Sequence, residues 1–151
     1  MREVPQVDFR SGIQDPLAYA GVWLRKAYAQ RARVRVIGPA VALSALNQQL
    51  WVADKEGFLP HALAGVDPQR PGIGRTAIWL GTGPVAGDPP SLLLNLGSPV
   101  PDDWATYRRI VEIVGADEER VQAGRDRWAG YRRLGLEPRH RTGASDDPAV
   151  P

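Results

Sequence analysis

The sequence predicts a single three-layer α/β/α domain with a mostly parallel sheet, and two observations support this fold class. Strand and helix signals alternate along the first third of the chain, which is typical of a parallel sheet covered by helices. The nearly continuous apolar run Leu92–Leu96 is expected of a strand buried on both faces. A chain of 151 residues is long enough for one such domain with one core.

The individual elements are predicted from local signals. Asp15 and Pro16 mark the start of the first helix, because Asp caps helix N-termini and Pro suits the first helical position. Apolar residues at helical spacing mark the helices, and β-branched or apolar runs bounded by Gly and Pro mark the strands. The predicted helices lie at 15–30, 41–51 and 117–134, and the predicted strands at 4–9, 34–37, 76–80, 92–95 and 110–114.

The C-terminal segment differs in composition from the rest of the chain. From Glu137 onward it consists mostly of Pro, Arg, Ser, Asp and Gly, and it offers little apolar surface to offset the entropy cost of ordering. We therefore predict a folded domain over residues 1–136 and a flexible tail over residues 137–151.

Composition and charge exclude several classes of protein. The chain has no cysteine, which excludes disulfides, thiolate nucleophiles and zinc–thiolate sites. It has no signal-peptide pattern and no apolar run long enough for a bilayer, so we expect a cytoplasmic protein without membrane association. The net charge of +2 is too small for a general nucleic-acid binder. Nearly all of the 19 basic residues are Arg, the residue suited to bidentate pairing with carboxylates or phosphates.

Catalytic and metal-binding patterns are missing from the sequence. Neither His61 nor His140 has a second ligand at helical spacing, so we expect no metal site. The glycine pairs at 72–74 and 81–83 lack the spacing of phosphate-binding loops, and we expect them to be plain loops. The predicted topology is therefore nucleotide-binding-like without a nucleotide site. We expect no cofactor and no catalytic residues, and hence a subunit that is not an enzyme by itself.

Two groups of residues remain as candidates for binding. Trp51 and Phe58 lie seven residues apart in a segment with turn residues, where large aromatics serve either as core or as binding hot spots. Composition alone favours the core for this pair. On the last helix, an apolar and basic stripe would suit a peptide that carries acidic groups and an apolar anchor. The alternative is a solvated Arg face beside an ordinary core stripe. The stripe consists of Val121, Arg125, Trp128 and Arg132, which lie within one narrow face at 100° per residue.

From about Val7 to Leu136, the chain resembles the chi subunit family of bacterial DNA polymerase III holoenzyme. The segment from Trp51 to Gly65 is the most specific part of the resemblance. The motifs that carry it are a VDF strand, L-R-K-A-Y (24–28), R-V-x-V-I, A-L-x-x-x-L-W (45–51), F-x-P-H-A-x-A-G (58–65), L-x-N-L (93–96) and R-x-R-W-x-x-Y-R (125–132).

The resemblance implies an accessory part of the clamp loader with an α/β fold and no nucleotide chemistry. One surface of such proteins binds the psi subunit, and another binds the acidic, Phe-terminated tail of single-stranded DNA-binding protein. The resemblance therefore implies that the chain contacts single-stranded DNA only indirectly, through that protein. The implied state is a monomer or a heterodimer with psi. By resemblance, Arg125 is a basic tail-binding residue and Trp128 a neighbouring aromatic. The psi-facing positions implied in the same way are Trp51, Phe58, Pro60 and His61.

The sequence departs from the family pattern on the last helix. Where better-known members carry two further lysines, this chain has Val121 and Ala129. We expect Arg120 and Arg132 to supply the positive charge instead, and Val121 to form part of a pocket wall. Two rival hypotheses remain open: an enzyme with a nucleotide-type sheet and a degenerate loop, and a direct binder of single-stranded DNA that uses the Arg, Trp and Tyr of this helix.

Overall fold

A computed structural model of the chain describes residues 4–52, 59–65 and 76–142. Within these ranges it has three α-helices, a short 3-10 helix at Trp104–Thr106 and seven strands. The helices are α1 (Pro16–Ala29), α2 (Ala40–Val52) and α3 (Glu118–Arg133). The strands are β1 (Gln6–Ile13), β2 (Val34–Ile37), β3 (His61–Leu63), β4 (Ile78–Leu80), β5 (Leu92–Asn95), β6 (Arg109–Gly115) and β7 (Arg139–Thr142).

The strands form one parallel sheet in the order β3-β4-β2-β5-β6-β1-β7. The β1–α1–β2 connection runs towards the β3 edge, and the β6–α3–β7 connection runs towards the β7 edge. Because crossovers between parallel strands are right-handed, connections in opposite directions place their helices on opposite faces. The predicted three-layer α/β/α fold with a parallel sheet is therefore confirmed.

Both faces of the sheet are packed. In β5, Leu92 and Leu94 point into the core under α1 and α2, whereas Leu93 points into the core under α3. The first core is centred on Trp23 of α1 and the second on Tyr131 of α3, and both side chains are fully buried. This alternation explains why a continuous apolar run marks the central strand.

Polar side chains cap the helices where the sequence predicts that they begin. The Oδ1 atom of Asp15 accepts a hydrogen bond from the Ala18 amide at 3.1 Å, and the Oδ1 atom of Asp117 accepts one from the Arg120 amide at 2.9 Å. Helix α3 is followed by Gly135, whose φ of 87° suits the left-handed position that commonly ends a helix. These caps fix the length and position of α3, which carries the candidate binding stripe.

The strands predicted at 34–37 and 92–95 are confirmed, and the one at 110–114 extends by one residue at each end. Strand β1 lies later than predicted, at Gln6–Ile13. The prediction of a flexible tail is wrong for residues 139–142, which form β7 beside β1. Backbone hydrogen bonds to β1 order this segment, and they do not require apolar side chains. Residues 143–151 lie outside the described ranges.

No helix in the described part of the chain is long and apolar enough to cross a bilayer.

Candidate functional site

A pocket of about 510 Å³, which we call the α3 pocket, lies between α3 and the β1–β7 edge of the sheet. The register of these strands pairs Phe9 with His140 and Ser11 with Thr142. Because side chains alternate along a strand, all four point to the face that α3 covers. The helix supplies the opposite wall of the pocket through Val121, Gly124, Arg125 and Trp128.

Three aromatic rings line this pocket. The half-buried Trp128 ring meets the buried Phe9 ring edge to face, with centroids 5.1 Å apart and planes at 61°. On the other side, His140 packs edge-on against Trp128 at 6.4 Å, and its Nε2 atom is hydrogen-bonded to the Ser11 hydroxyl at 2.5 Å. Edge-to-face packing restricts the orientation of these rings, so the pocket offers a rigid apolar slot.

Arg125 is the basic side chain of α3 that lines this pocket. It is exposed, and no ion pair engages it among the residues that the structure describes. A guanidinium remains charged at all ordinary pH values and presents a fork of N–H donors. An apolar slot with such a group at its rim can hold a ligand that has an apolar side chain beside a carboxylate.

Helix α3 is attached to the sheet by a buried polar cluster centred on Glu112 of β6. Arg127 donates from Nε to Oε1 of Glu112 at 2.6 Å. Tyr131 donates its hydroxyl to Oε2 at 2.5 Å, and Asn95 donates from Nδ2 to the same oxygen at 3.0 Å. Each carboxylate oxygen therefore accepts at least one hydrogen bond, as a fully buried carboxylate requires.

Burial governs the ionisation of this cluster. Burial raises the pKa of Glu112, and the neighbouring Arg127 guanidinium opposes that shift. Burial also raises the pKa of Tyr131, and the adjacent Glu112 carboxylate raises it further, so the Tyr131 hydroxyl keeps its proton. The cluster fixes the rotation of α3 about its axis, because Arg127 points inward to the sheet while Arg125 and Trp128, which flank it in the sequence, line the pocket.

This cluster is not among the sites predicted from the sequence, although the chain carries a signal for it. Glu112 interrupts the apolar strand RIVEIV at a position that must be buried. Arg127 and Tyr131 are four residues apart, which places them on the same face of a helix. An acid inside a buried strand, followed by Arg and Tyr at this spacing, is a pattern that predicts a buried ion pair.

The predicted basic residues Arg120 and Arg132 do not line the pocket. The Arg120 Nη1 atom lies 3.3 Å from the Asp117 Oδ2 atom, and the side chain covers Gly115 at the carboxyl end of β6. There it borders a different cavity. Arg132 is exposed seven residues after Arg125, on the same stripe but about 10 Å further along the helix. The structure therefore brings together Val121, Arg125 and Trp128.

The second group of candidates lies at the other end of the sheet. Trp51, in the last turn of α2, is 55% exposed, so the composition-based expectation that it belongs to the core is wrong. Its ring packs edge-on against the His61 ring at 5.1 Å. His61 is itself buried, and its Nδ1 atom is hydrogen-bonded to the Leu59 carbonyl oxygen at 2.7 Å. The His61 ring therefore packs against the protein-facing side of Trp51 and does not face solvent.

Exposed apolar side chains also follow Trp51 in α2 and His61 in β3. Val52 is 69% exposed and Leu63 is 45% exposed, while Pro60 is half-buried. Phe58, predicted to belong to the same surface, lies outside the described residues. We call Trp51, Val52 and Leu63 the Trp51 surface. Strands β3 and β7 are the two edges of the sheet, so the Trp51 surface and the α3 pocket lie at opposite ends of the molecule.

The glycine pair at 81–83 has a structural role in the loop after β4. Gly81 has a φ of 103°, and its carbonyl accepts a hydrogen bond from Arg35. A Cβ atom on Gly83 would lie 2.8 Å from the Ala64 carbonyl oxygen. Both glycines are thus explained by backbone geometry and close packing. The pair at 72–74 lies outside the described residues.

Comparisons with known proteins identify the family of this sequence. The family model described as "DNA polymerase III chi subunit, HolC" matches residues 4–139. The chain is similar to the DNA polymerase III subunit chi of Pseudomonas aeruginosa, with 34% identity over 92 residues. That alignment covers 61% of this chain and 61% of the relative. The resemblance found in the sequence motifs is confirmed, and the chain belongs to the DNA polymerase III chi subunit family.

Proposed function

We propose that this chain is a non-catalytic accessory subunit of the DNA polymerase III holoenzyme that connects two partners during replication. One partner is the psi subunit, through which it joins the clamp loader. The other is the acidic, Phe-terminated tail of single-stranded DNA-binding protein. The observation that carries the proposal is the α3 pocket, an apolar slot with the guanidinium of Arg125 at its rim.

The chemistry of the pocket matches the end of such a tail. A terminal Phe ring enters the slot against the rings of Phe9 and Trp128, and its carboxylate pairs with Arg125. Burying an apolar side chain of this size contributes about 2 kcal/mol. An exposed ion pair contributes only about 0–1 kcal/mol, so the ring supplies much of the affinity. The complex is therefore modest in strength and weakens as salt screens the carboxylates.

The Trp51 surface is the proposed site for psi. It combines an exposed Trp with two exposed aliphatic side chains, and Trp is enriched among interface hot spots. Because this surface and the α3 pocket lie at opposite edges of the sheet, both partners fit on the chain at once. That arrangement is what a bridging subunit needs.

The proposal is tested by calorimetric titration of a tail peptide into the wild-type chain and into the Arg125→Ala and Arg125→Glu variants. We expect Arg125→Glu to bind more weakly than Arg125→Ala, because it adds repulsion to the lost pair. A peptide that lacks the terminal Phe should bind weakly to all three proteins.

Arg133→Glu is the matched control. It makes the same charge change on the same helix, at an exposed residue that does not line the pocket. We expect its affinity for the peptide to stay within about twofold of the wild type, since distant exposed charges are screened. Equal affinities for the wild type and Arg125→Glu would show that the tail does not bind here.

A further inference from the structure

The β1–β7 strand pair presents different side chains on its two faces. The register pairs Asp8 with Arg139 and Arg10 with Arg141. Because side chains alternate along a strand, these residues point away from the α3 pocket, which Phe9 and His140 line. Arg109 of β6 reaches the same side, where its Nε atom lies 2.8 Å from the Asp8 Oδ2 atom. We call Arg10, Arg109, Arg139 and Arg141 the arginine face.

The arginine face carries excess positive charge. Its four arginines share this side of the strands with one carboxylate, that of Asp8, which is paired with Arg109. Within the described ranges, no ion pair joins Arg10, Arg139 or Arg141 to an acidic side chain. Burial lowers the pKa of Arg109, Asp8 opposes that shift, and the nearby charges of Arg10 and Arg141 lower it further. The register also places Arg10 beside Arg141 on neighbouring strands, so like charges are close together on this face.

Arg10 is the least accessible member of the arginine face. It is only 5% exposed, and its Nε atom is buried with no hydrogen-bond partner among the described residues. Buried charged groups are normally paired, because an unpaired one loses its hydration without compensation. Arg139 and Arg141 are exposed and lie beside it on the edge strand. An anion placed over this strand pair would face one buried and two exposed guanidinium groups.

We propose that the arginine face binds the phosphate backbone of single-stranded DNA. Guanidinium forks match phosphate oxygens in geometry. Arg139 and Arg141 are two residues apart on a strand, so they repeat positive charge along a line at intervals of about 6.6 Å. A line of positive charges suits a polymer with regularly repeated anionic groups better than it suits a small, compact anion. The chain belongs to a family of DNA polymerase subunits, so DNA is the polyanion that we expect near it.

This site is independent of the proposed tail pocket. The two share strand β7 but use opposite faces of it, so DNA and an acidic peptide can bind at the same time. The side chains that would contact DNA alternate with those that line the pocket. A substitution at Arg139 or Arg141 therefore leaves the pocket wall unchanged.

The test is fluorescence anisotropy with a labelled oligothymidine and the full chain over a range of salt concentrations. The informative variant is Arg139→Glu/Arg141→Glu. We expect it to weaken DNA binding by about tenfold or more at low salt. It should also reduce the slope of log affinity against log salt by about 0.7 for each phosphate that the variant no longer neutralises.

The matched control is Arg132→Glu/Arg133→Glu, which makes the same charge change at two exposed residues on α3. We expect it to weaken DNA binding by less than about threefold, since only general attraction is lost. An equal loss of DNA affinity in both variants would show that the effect comes from the change in net charge alone, and it would overturn the proposal. A loss confined to the control would move the DNA site to α3 and overturn it as well, as would undetectable binding by the wild type at low salt.

Two further measurements distinguish a DNA site from a damaged fold and from a site for acidic protein segments. Thermal melting and tail-peptide titration of the Arg139→Glu/Arg141→Glu variant should match the wild type, which shows that its fold and pocket are intact. A peptide of repeated glutamates should compete poorly with the oligonucleotide. If that peptide displaces DNA at equal charge concentration, the face recognises acidic protein segments and the proposal of a DNA site fails.

Discussion

Arg127 of α3 and Glu112 of β6 form a buried ion pair, with the Arg127 Nε atom 2.6 Å from the Glu112 Oε1 atom. The side chain of Glu112 has no exposed surface, and that of Arg127 is 7% exposed. Arg125 and Trp128, which line the pocket, flank Arg127 in the sequence. The pair thus links the packing of the sheet to the placement of the candidate binding residues.

Replacing Arg127 with Met should destabilise the domain strongly. The substitution keeps most of the side-chain volume but leaves the Glu112 carboxylate buried without its cation, which typically costs about 3–5 kcal/mol. Chemical denaturation measures this loss. Arg125→Met is the matched control: the residue is exposed, and the same change should alter stability by no more than about 0.5 kcal/mol. Similar losses in the two variants would show that the buried pair does not hold α3.

The stability of the domain should fall at alkaline pH because of Tyr107. Burial raises the pKa of this tyrosine to about 12, and its hydrogen bond to the Asp103 carboxylate at 2.9 Å raises it in the same direction. An unfolded tyrosine ionises near pH 10. Its stabilising contribution is therefore complete below about pH 10. It declines by about 1.4 kcal/mol per pH unit between about pH 10 and pH 12. In this range the unfolded state has lost the tyrosine proton and the folded state largely keeps it.

This prediction is checked by urea denaturation of the wild type and Tyr107→Phe over that alkaline range. Phe cannot ionise, so the stability of the variant should fall less steeply with pH. Parallel stability curves for the two proteins would contradict the raised pKa. A second readout is the ultraviolet titration of phenol groups, in which Tyr107 should ionise above the range of an exposed tyrosine.

Local sequence patterns predict the central strands and the helices but not the edges of the sheet. Strand β5 carries an apolar run because both of its faces are buried, and β2 is apolar and buried at three of its four positions. Strand β7, by contrast, has the sequence RHRT with every side chain exposed, and it is ordered by backbone hydrogen bonds to β1. Hydrophobic periodicity cannot reveal such a strand. Composition alone therefore predicts a tail at residues 139–142.

The same limit applies to the candidate site. Helical spacing predicts that Val121, Arg125 and Trp128 share a face, and the structure places all three on the pocket. The opposite wall, with Phe9 and His140, depends on the order of strands in the sheet. That order is a tertiary property which no local pattern encodes. Helical angle alone also misplaces Arg132, because residues at the same angle can lie two turns apart along the axis.

Trp51→Ala should leave the isolated domain nearly as stable as the wild type, because the residue is more than half exposed. Exposed substitutions usually change stability by no more than about 0.5 kcal/mol. The neighbouring Leu50 is 2% exposed, so Leu50→Ala should cost about 2–5 kcal/mol and serves as the control. Thermal melting compares the two variants.

Binding completes the test of the Trp51 surface. If the surface docks psi, Trp51→Ala should weaken the complex by about 2 kcal/mol or more, as measured by titration with psi. The α3 pocket is at the opposite edge of the sheet, so tail-peptide affinity should not change. A Trp51→Ala variant that binds psi as well as the wild type would remove this surface from consideration.

Two truncations should separate the ordered strand β7 from the residues after it. A chain that ends at Thr142 keeps His140 and Thr142, which line the α3 pocket, and should bind the tail peptide within about twofold of the full chain. Residues 143–151 contain Val150 as their one large apolar side chain, so we predict that they contribute little to the core.

A chain that ends at Pro138 loses strand β7 and with it one wall of the pocket. It also exposes the backbone edge of β1 between Asp8 and Ser11, where β7 is paired in the full chain. We expect it to bind the tail peptide at least about tenfold more weakly and to melt at a lower temperature than the chain that ends at Thr142. His140→Ala in the full chain separates the two effects, because it keeps the backbone of β7 and removes the ring that packs on Trp128 and is hydrogen-bonded to Ser11. Weaker peptide binding by His140→Ala, with unchanged melting, would assign the loss to the pocket wall. Undiminished peptide binding by the chain that ends at Pro138 would show that β7 is not part of the site.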